Sequence, residues 1–254
     1  MQKTRFLTLT VGFLLCAHQV AANPTLEERK AAIKSMSDNE PSSEQLGRKR
    51  QSELVLREEG VPFNEYLPVI ESSAEAKIRS EGDVELRALC LVFVAVKGEG
   101  VDHETVKQLI AAYGLEPHLT PRERAFINDP EPSEHDRVQF VWRYESAWVL
   151  LWALGFIDEL PRPDKIADVP QLTVIVGDRT TESFREAAVL RDAKQILDQA
   201  DLTYRYHWAV VDARISGEES PSGLDSSVVY ERHYALNWLI SYMGQDWDDV
   251  STDT

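Results

Sequence analysis

Five ionisable residues stand where the surrounding pattern calls for apolar ones: Glu145, His207, Arg214, Glu231 and Arg232. Their types suit one kind of chemistry. A carboxylate serves as base or acceptor, guanidiniums clamp an anion, and an imidazole moves a proton between them. Read functionally, Glu145 is the base, Arg214 and Arg232 are the clamp and His207 is the shuttle, with Glu231 beside them and Asp212 and His233 at the margin. Read structurally, the same residues form an internal network of ions that fixes the register of helices. The structural reading is adopted, because buried ion pairs perturb their members without doing chemistry. An opening to solvent separates the two readings: a working site needs one and a network does not.

The elements that must position these residues are helical. A helix opening at Ser133 and running through Phe156 gathers Val138, Val141, Trp142, Trp148, Val149, Trp152 and Phe156 on one face, with Glu145 in its middle. A last helix over 226–243 aligns Val228, Val229, Leu236, Leu239, Ile240 and Met243 around Arg232. Between them, over 193–216, Ile196, Leu197, Ala200, Tyr204, Val211 and Ile215 form an apolar sector that also holds His207 and Arg214. The other side of that helix carries Asp198, Asp201, Arg205 and Asp212 and reads as a solvated strip with i,i+4 pairing. Ions left unpaired in a core are strongly destabilising. Glu145 is therefore predicted to pair with Arg232, Arg214 or both, near His207, joining three helices.

Helix signals also dominate elsewhere. Asp83 precedes an apolar run over 84–97, Asp102 precedes 103–113 with Gly114 as a stop, and Thr120-Pro121-Arg122-Glu123 supplies a cap, a first-turn proline and a third-position Glu. A further helix is predicted over 181–190. The one convincing strand candidate is Leu172-Thr173-Val174-Ile175-Val176. The predicted class is all-α, a single irregular bundle of about seven or eight helices with at most a minor strand near 172–176.

The amino-terminal residues point to export. Lys3 and Arg5, an apolar run from Phe6 to Ala17 and small residues at Val20, Ala21 and Ala22 describe a signal peptide cleaved after Ala22. The run is shorter than the roughly 20 residues a membrane span needs. Residues 23–51 read as a flexible polar leader and 52–254 as one helical domain. Removing Lys3 and Arg5 takes the formal charge from −16 to −18. Such a surface disfavours nucleic acid and anionic lipid and favours solubility or a basic protein or peptide partner. Cys16 leaves with the signal, so Cys90 remains alone in an apolar helix, as a small core residue with no disulfide partner.

Other motifs fall short of chemistry. His103-Glu104 begins like a zinc-protease helix, but Lys107 stands where the second histidine belongs. Residues 246–249 offer hard oxygen ligands without the glycine and closing glutamate of a calcium loop, and read as a solvated acidic tail. Trp142, Trp148, Trp152, Trp208 and Trp238 sit at helical spacing and belong to the core; Trp247 is the one expected to be exposed. No cofactor or metal is expected.

Five stretches together, GVPFNEYLPVIES, WRYESAWVLLWALG, DLTYRYHWAVVDARI, VYERHYALNWL and QDWDDVSTDT, resemble a bacterial family known as domain of unknown function 4272. The resemblance runs from about Gln45 to Thr254. It implies a single mostly helical domain and carries over no activity, cofactor or catalytic residue. The expectation for function is an exported, acidic, non-enzymatic binding, inhibitor or accessory protein for a basic partner. One alternative is an enzyme, such as a hydrolase, built on the Glu/His/Arg cluster; another is a structural envelope protein.

Overall fold

The computed structural model describes residues 40–254. The expected signal peptide at 1–22, its cleavage site and the leader as far as residue 39 lie outside the described residues. The chain that follows forms α1 (Ser43–Glu58), α2 (Glu81–Gly98), α3 (His103–Ala112), α4 (Pro121–Asn128), α5 (Glu134–Val141), α6 (Arg143–Ala153), α7 (Val169–Gly177), α8 (Thr181–Ala187), α9 (Ala193–Ser216) and α10 (Ser226–Leu239), with short 3₁₀ turns between and after them. The class is all-α, as the periodicity predicts.

Nearly every α-helix begins at a side-chain cap. Ser42, Ser80, Asp102, Thr120, Ser133, Asp168, Thr180, Asp192 and Asp225 each accept a backbone N–H of the first turn. Ser42 with Gln45 and Thr120 with Glu123 complete reciprocal capping boxes. At the ends of α4, α6 and α10 the last carbonyls are met by cations from elsewhere in the chain. Lys97 Nζ donates to the carbonyls of Phe126, Ile127 and Asp129 at 2.6–2.8 Å, closing α4. Arg191 does the same for Trp152, Ile157 and Asp158 beyond α6, and Arg79 for Trp238 at the end of α10. Each places positive charge at the negative end of a helix and satisfies orphan acceptors in the same stroke.

The bundle is ordered as a run of neighbours: α5 and α6 against α2, α6 against α10, α10 against α9, and α9 against α1. Helix α2 is apolar almost all round, with Leu89, Cys90, Leu91 and Val94 at its centre, and it anchors the main core. Its last residue, Gly98, lets α5 approach so closely that a Cβ there would sit 2.8 Å from the Arg137 carbonyl. A second, smaller core of Leu56, Val61, Tyr206, Val210, Leu224 and Val229 joins α1, α9 and α10. Among the described residues no helix is long and apolar enough to cross a membrane.

Several expectations need correction. The strand near 172–176 is instead the body of α7: Asp168 caps it, Pro170 sits in its first turn, and Leu172, Ile175 and Val176 bury at helical spacing while Val174 faces solvent. β-Branched residues yield here to a strong cap and an amphipathic register. Residues 43–51, assigned to the flexible leader, are the first turns of α1, where Arg48 and Ser52 are buried against the rest of the domain. The single helix expected over 133–156 is two segments meeting at Trp142, and Val138 on the first of them is exposed. The last helix stops at Leu239, because Ser241 and Met243 adopt positive φ of 54° and 53°. Residues 246–249 are not a solvated tail. Trp247 is buried against Tyr234, Trp238 and the Arg87 guanidinium, and Ser251 beyond it bonds Gln245 and Asn237.

Candidate functional site

Helices α6, α9 and α10 bring the sequence-predicted residues into one region, where they divide into three separate arrangements. Glu145, in the first turn of α6, is 2 % exposed and faces Arg232 of α10, itself 3 % exposed. Glu145 Oε2 lies 3.6 Å from Arg232 Nε, an ion pair too long to be a hydrogen bond. Glu145 Oε1 accepts the Ala167 N–H, and Arg232 Nη1 donates to the Pro161 carbonyl. The two ions therefore tie the 161–167 connection to both helices. Burial raises the Glu145 pKa and lowers that of Arg232, each partner partly offsetting the effect on the other.

Glu231, one residue earlier on α10, takes a different partner. Its carboxylate accepts from Arg143 Nη1 at 3.0 and 3.2 Å and from Ser146 Oγ at 2.7 Å, both on α6. Burial raises its pKa while Arg143 and Ser146 oppose that rise. Neither Arg143 nor Ser146 figured among the predicted residues. The signal was present in their spacing, since Arg143 and Ser146 are three apart on the helix that carries Glu145 and so share a face.

His207 of α9 meets His233 of α10, not a carboxylate. Their Nδ1 atoms are 2.7 Å apart, so one imidazole donates and the other accepts. Burial lowers the His207 pKa to about 4, with Arg214 acting in the same direction, and burial lowers that of His233 well below the ordinary value. Both rings are neutral at pH 7. An unfolded histidine titrates near 6.5, so between about pH 6.5 and 4 the unfolded chain binds more protons and the pair loses stability as pH falls. The raised carboxylates Glu145 and Glu231 act oppositely, favouring the fold as pH falls toward 4.5. A comparison isolates the histidines. From pH 7 to pH 4 the unfolding free energy of the parent is expected to drop relative to His207→Phe/His233→Phe by more than about 1.4 kcal/mol, the worth of one pK unit. Parallel curves in urea titrations would remove the neutral pair from the account.

Arg214 and Asp212 lie away from Glu145. Both are exposed near the end of α9, and Arg214 makes no contact with Glu145. Predicted pairing of Glu145 with Arg214 is thus corrected to Arg232 alone, because Arg214 lies instead at the solvent-facing cleft it shares with His207, Tyr230 and Glu231. The supposed solvated strip holds for Asp212 and for Asp198, which pairs with Lys194, and is corrected at the other two residues. Arg205 is wholly enclosed at 0 % exposure and Asp201 at 1 %, joined by two hydrogen bonds of 2.9 and 2.8 Å. Ile215, expected in the apolar sector, is exposed.

Two clefts flank the histidine pair. One, of about 280 Å³, is lined by His207, Arg214, Glu231, Tyr230, Gln139 and the first-turn serines of α10. The other, of about 170 Å³, is lined by His233, Tyr204, Glu71 and residues at the carboxyl end. Glu145 and Arg232 line neither. Among the described residues no group of three or more His, Cys, Asp or Glu side chains is placed to hold a metal ion. Cys90 is buried and its thiol is pushed up to about 12 by burial, which suits a core residue and not a nucleophile.

Residues 48–250 match the family described as domain of unknown function (DUF4272). No curated protein and no solved structure matches the chain.

Proposed function

The chain belongs to the DUF4272 family, and since that description carries no reaction we propose, from the site itself, that the helical domain is a non-enzymatic binding protein for a basic protein partner, acting after export as an inhibitor, immunity or accessory factor would. One observation carries the choice of binding over catalysis: the strongest acid–base candidate, Glu145, is sealed between Arg232 and the Ala167 amide with 2 % of its surface exposed. A base that no substrate can touch is wiring. The formal charge of −16 supports the basic partner, since opposite charge speeds encounter and suppresses like-charged competitors.

The test is capture from an envelope extract. A basic protein is expected to be retained at about 0.01 M ionic strength, where charges are felt over about 30 Å, and released by about 1 M, where the range is about 3 Å. Recovery of nothing at low salt, or retention that salt leaves unchanged, overturns the proposal.

A second reading is favoured by the 280 Å³ cleft, which does bring His207, Arg214 and Glu231 to a common opening. In a hydrolase a neutral His207 would be the general base and Arg214 the anion clamp. Turnover of an ester or peptide substrate that disappears in His207→Asn with the fold retained would move the conclusion to this reading.

A further inference from the structure

The smaller cleft lies between segment 68–71, α9, α10 and residues 253–254, and measures about 170 Å³. Pockets that take whole cofactors or drug-sized ligands run from about 300 to 1,000 Å³, so this one admits a group of side-chain size. Ile70, Ile240 and the rings of Tyr204 and Tyr242 form its walls. The charged side chains lining it are Glu71 and Asp253, both acidic. Glu71 Oε2 is enclosed with no hydrogen-bond partner among the described residues. His233, 2 % exposed, also lines the cleft; its Nδ1 is committed to His207, and its Nε2 has no partner among the described residues. Two cations stand nearby with other partners: Arg48 pairs with Glu44 and Asp198 and donates to the Glu71 carbonyl, where its charge also acts on the Glu71 carboxylate, and Arg205 pairs with Asp201 and lies 5.8 Å from the Tyr204 ring.

We propose that this cleft is a receptor site for a primary ammonium group on a short aliphatic stem, with Glu71 and His233 Nε2 as acceptors, Asp253 at the mouth and the two tyrosine rings against the cation. An ammonium carries three donors and no acceptor, and the site offers acceptors without a donor of matching charge. Aromatic lining also favours a cation over a neutral group, although the Tyr204 ring already has Arg205 at 5.8 Å. A guanidinium suits it less, since its planar fork wants coplanar oxygens on one carboxylate, whereas these acceptors arrive from separate elements. Burial raises the Glu71 pKa, with Glu75 adding to the rise, and an arriving cation reverses that shift. Occupancy also sets a tautomer. To accept at Nε2, His233 must carry its proton on Nδ1 and donate it to His207, whose own proton then sits on Nε2, toward the larger cleft.

The assignment deepens the binding reading and rests on it only for the source of the amine. The probe is n-butylammonium, titrated into the protein by calorimetry and by nitrogen-15 spectra of the imidazoles. Saturable binding is expected, with His233 Nε2 moving to the position of an unprotonated ring nitrogen, while butan-1-ol, of the same shape without charge, does not bind. Glu71→Gln is expected to weaken binding by roughly tenfold, the loss of one charge-assisted hydrogen bond. Asp253→Asn changes an exposed residue and leaves the fold alone, and it should weaken binding in the same direction. Butan-1-ol binding as tightly as the ammonium, absence of ammonium binding, or indifference to both substitutions overturns the proposal. Nα-acetyl-lysine methylamide binding as well as butylammonium upholds it with a protein side chain as the source; butylammonium binding alone upholds it with a free amine as the source. Salt-sensitive capture without butylammonium binding sinks this assignment and leaves the partner reading standing; the reverse result sinks the partner reading alone.

Discussion

Glu145→Ala is expected to lower the free energy of unfolding by about 3–5 kcal/mol, the usual consequence of removing one member of a buried ion pair. The reason is the charge left behind. Arg232 keeps the Pro161 carbonyl but loses its carboxylate, in surroundings that leave its side chain 4 % exposed. The substitution also deprives the Ala167 N–H of its acceptor, so the 161–167 connection loosens along with the helix contact. Glu145→Gln, which can still accept from Ala167, should cost less than Glu145→Ala. Glu145→Leu/Arg232→Met, which removes both ions together, should recover part of that loss, the remainder coming from the Ala167 N–H and the Pro161 carbonyl left without partners. Urea unfolding of the three variants checks the order. A loss under about 1 kcal/mol for Glu145→Ala would be the value of a solvated pair, and the enclosed geometry would then have no energetic meaning.

Asp201→Ala should be at least as damaging, although both residues lie on one helix at i,i+4 spacing. A pair of this kind on an exposed face contributes about 0.3–0.5 kcal/mol. Here Arg205 is fully enclosed, holds Asp201 through two hydrogen bonds, and already has Nη1 without a partner among the described residues. Stripping away its counter-ion leaves a guanidinium with little beyond the Pro68 carbonyl, and the expected loss is about 3–5 kcal/mol. The effect has a second readout. Because Arg205 reaches Pro68, hydrogen exchange at the amides around 68–71 should accelerate in Asp201→Ala more than at α2. A loss near 0.5 kcal/mol with unchanged exchange would place the pair with ordinary surface pairs.

How these two pairs could be read in the sequence shows where one-dimensional reasoning works and where it stops. Glu145 and Arg232 each interrupt a strong apolar periodicity, and two ions of opposite sign on two buried faces have few ways to be satisfied except by each other. Asp201 and Arg205 gave the opposite impression, because i,i+4 charges on the polar side of a helix are the commonest of solvated patterns. Their burial follows from α1 and segment 68–71 lying across that side of α9, and α1 begins inside a stretch whose polar composition reads as linker. A single misassigned boundary thus turned a buried pair into a surface strip. Arg214 failed for another reason: it sits near the end of α9 beside the first turn of α10, at a cleft open to solvent, and periodicity does not report where along a helix its face stops being covered. The histidine pair was invisible as such, since His207 and His233 are distant in sequence and nothing in either helix alone demands that two neutral rings should meet. The Leu172–Val176 run shows a local preference for strand overruled by Asp168 and Pro170 at the start of a turn.

The way α1 holds the helix-free stretch before α2 carries a consequence for how recognition can change. Lys49 Nζ donates to the carbonyl of Leu67 at 2.7 Å, Gln45 to that of Ile70 at 2.8 Å and Arg48 to that of Glu71 at 2.9 Å, with Arg205 on Pro68 from the other side. Every one of these grips is on a main-chain oxygen, which all amino acids possess. The backbone of this wall of the smaller cleft is therefore held by contacts that do not read its side chains, so a change of side chain there alters the lining before it loosens these grips. Architecture and taste are set by different atoms, so descendants of this chain can acquire new preferences at that wall while inheriting the same frame.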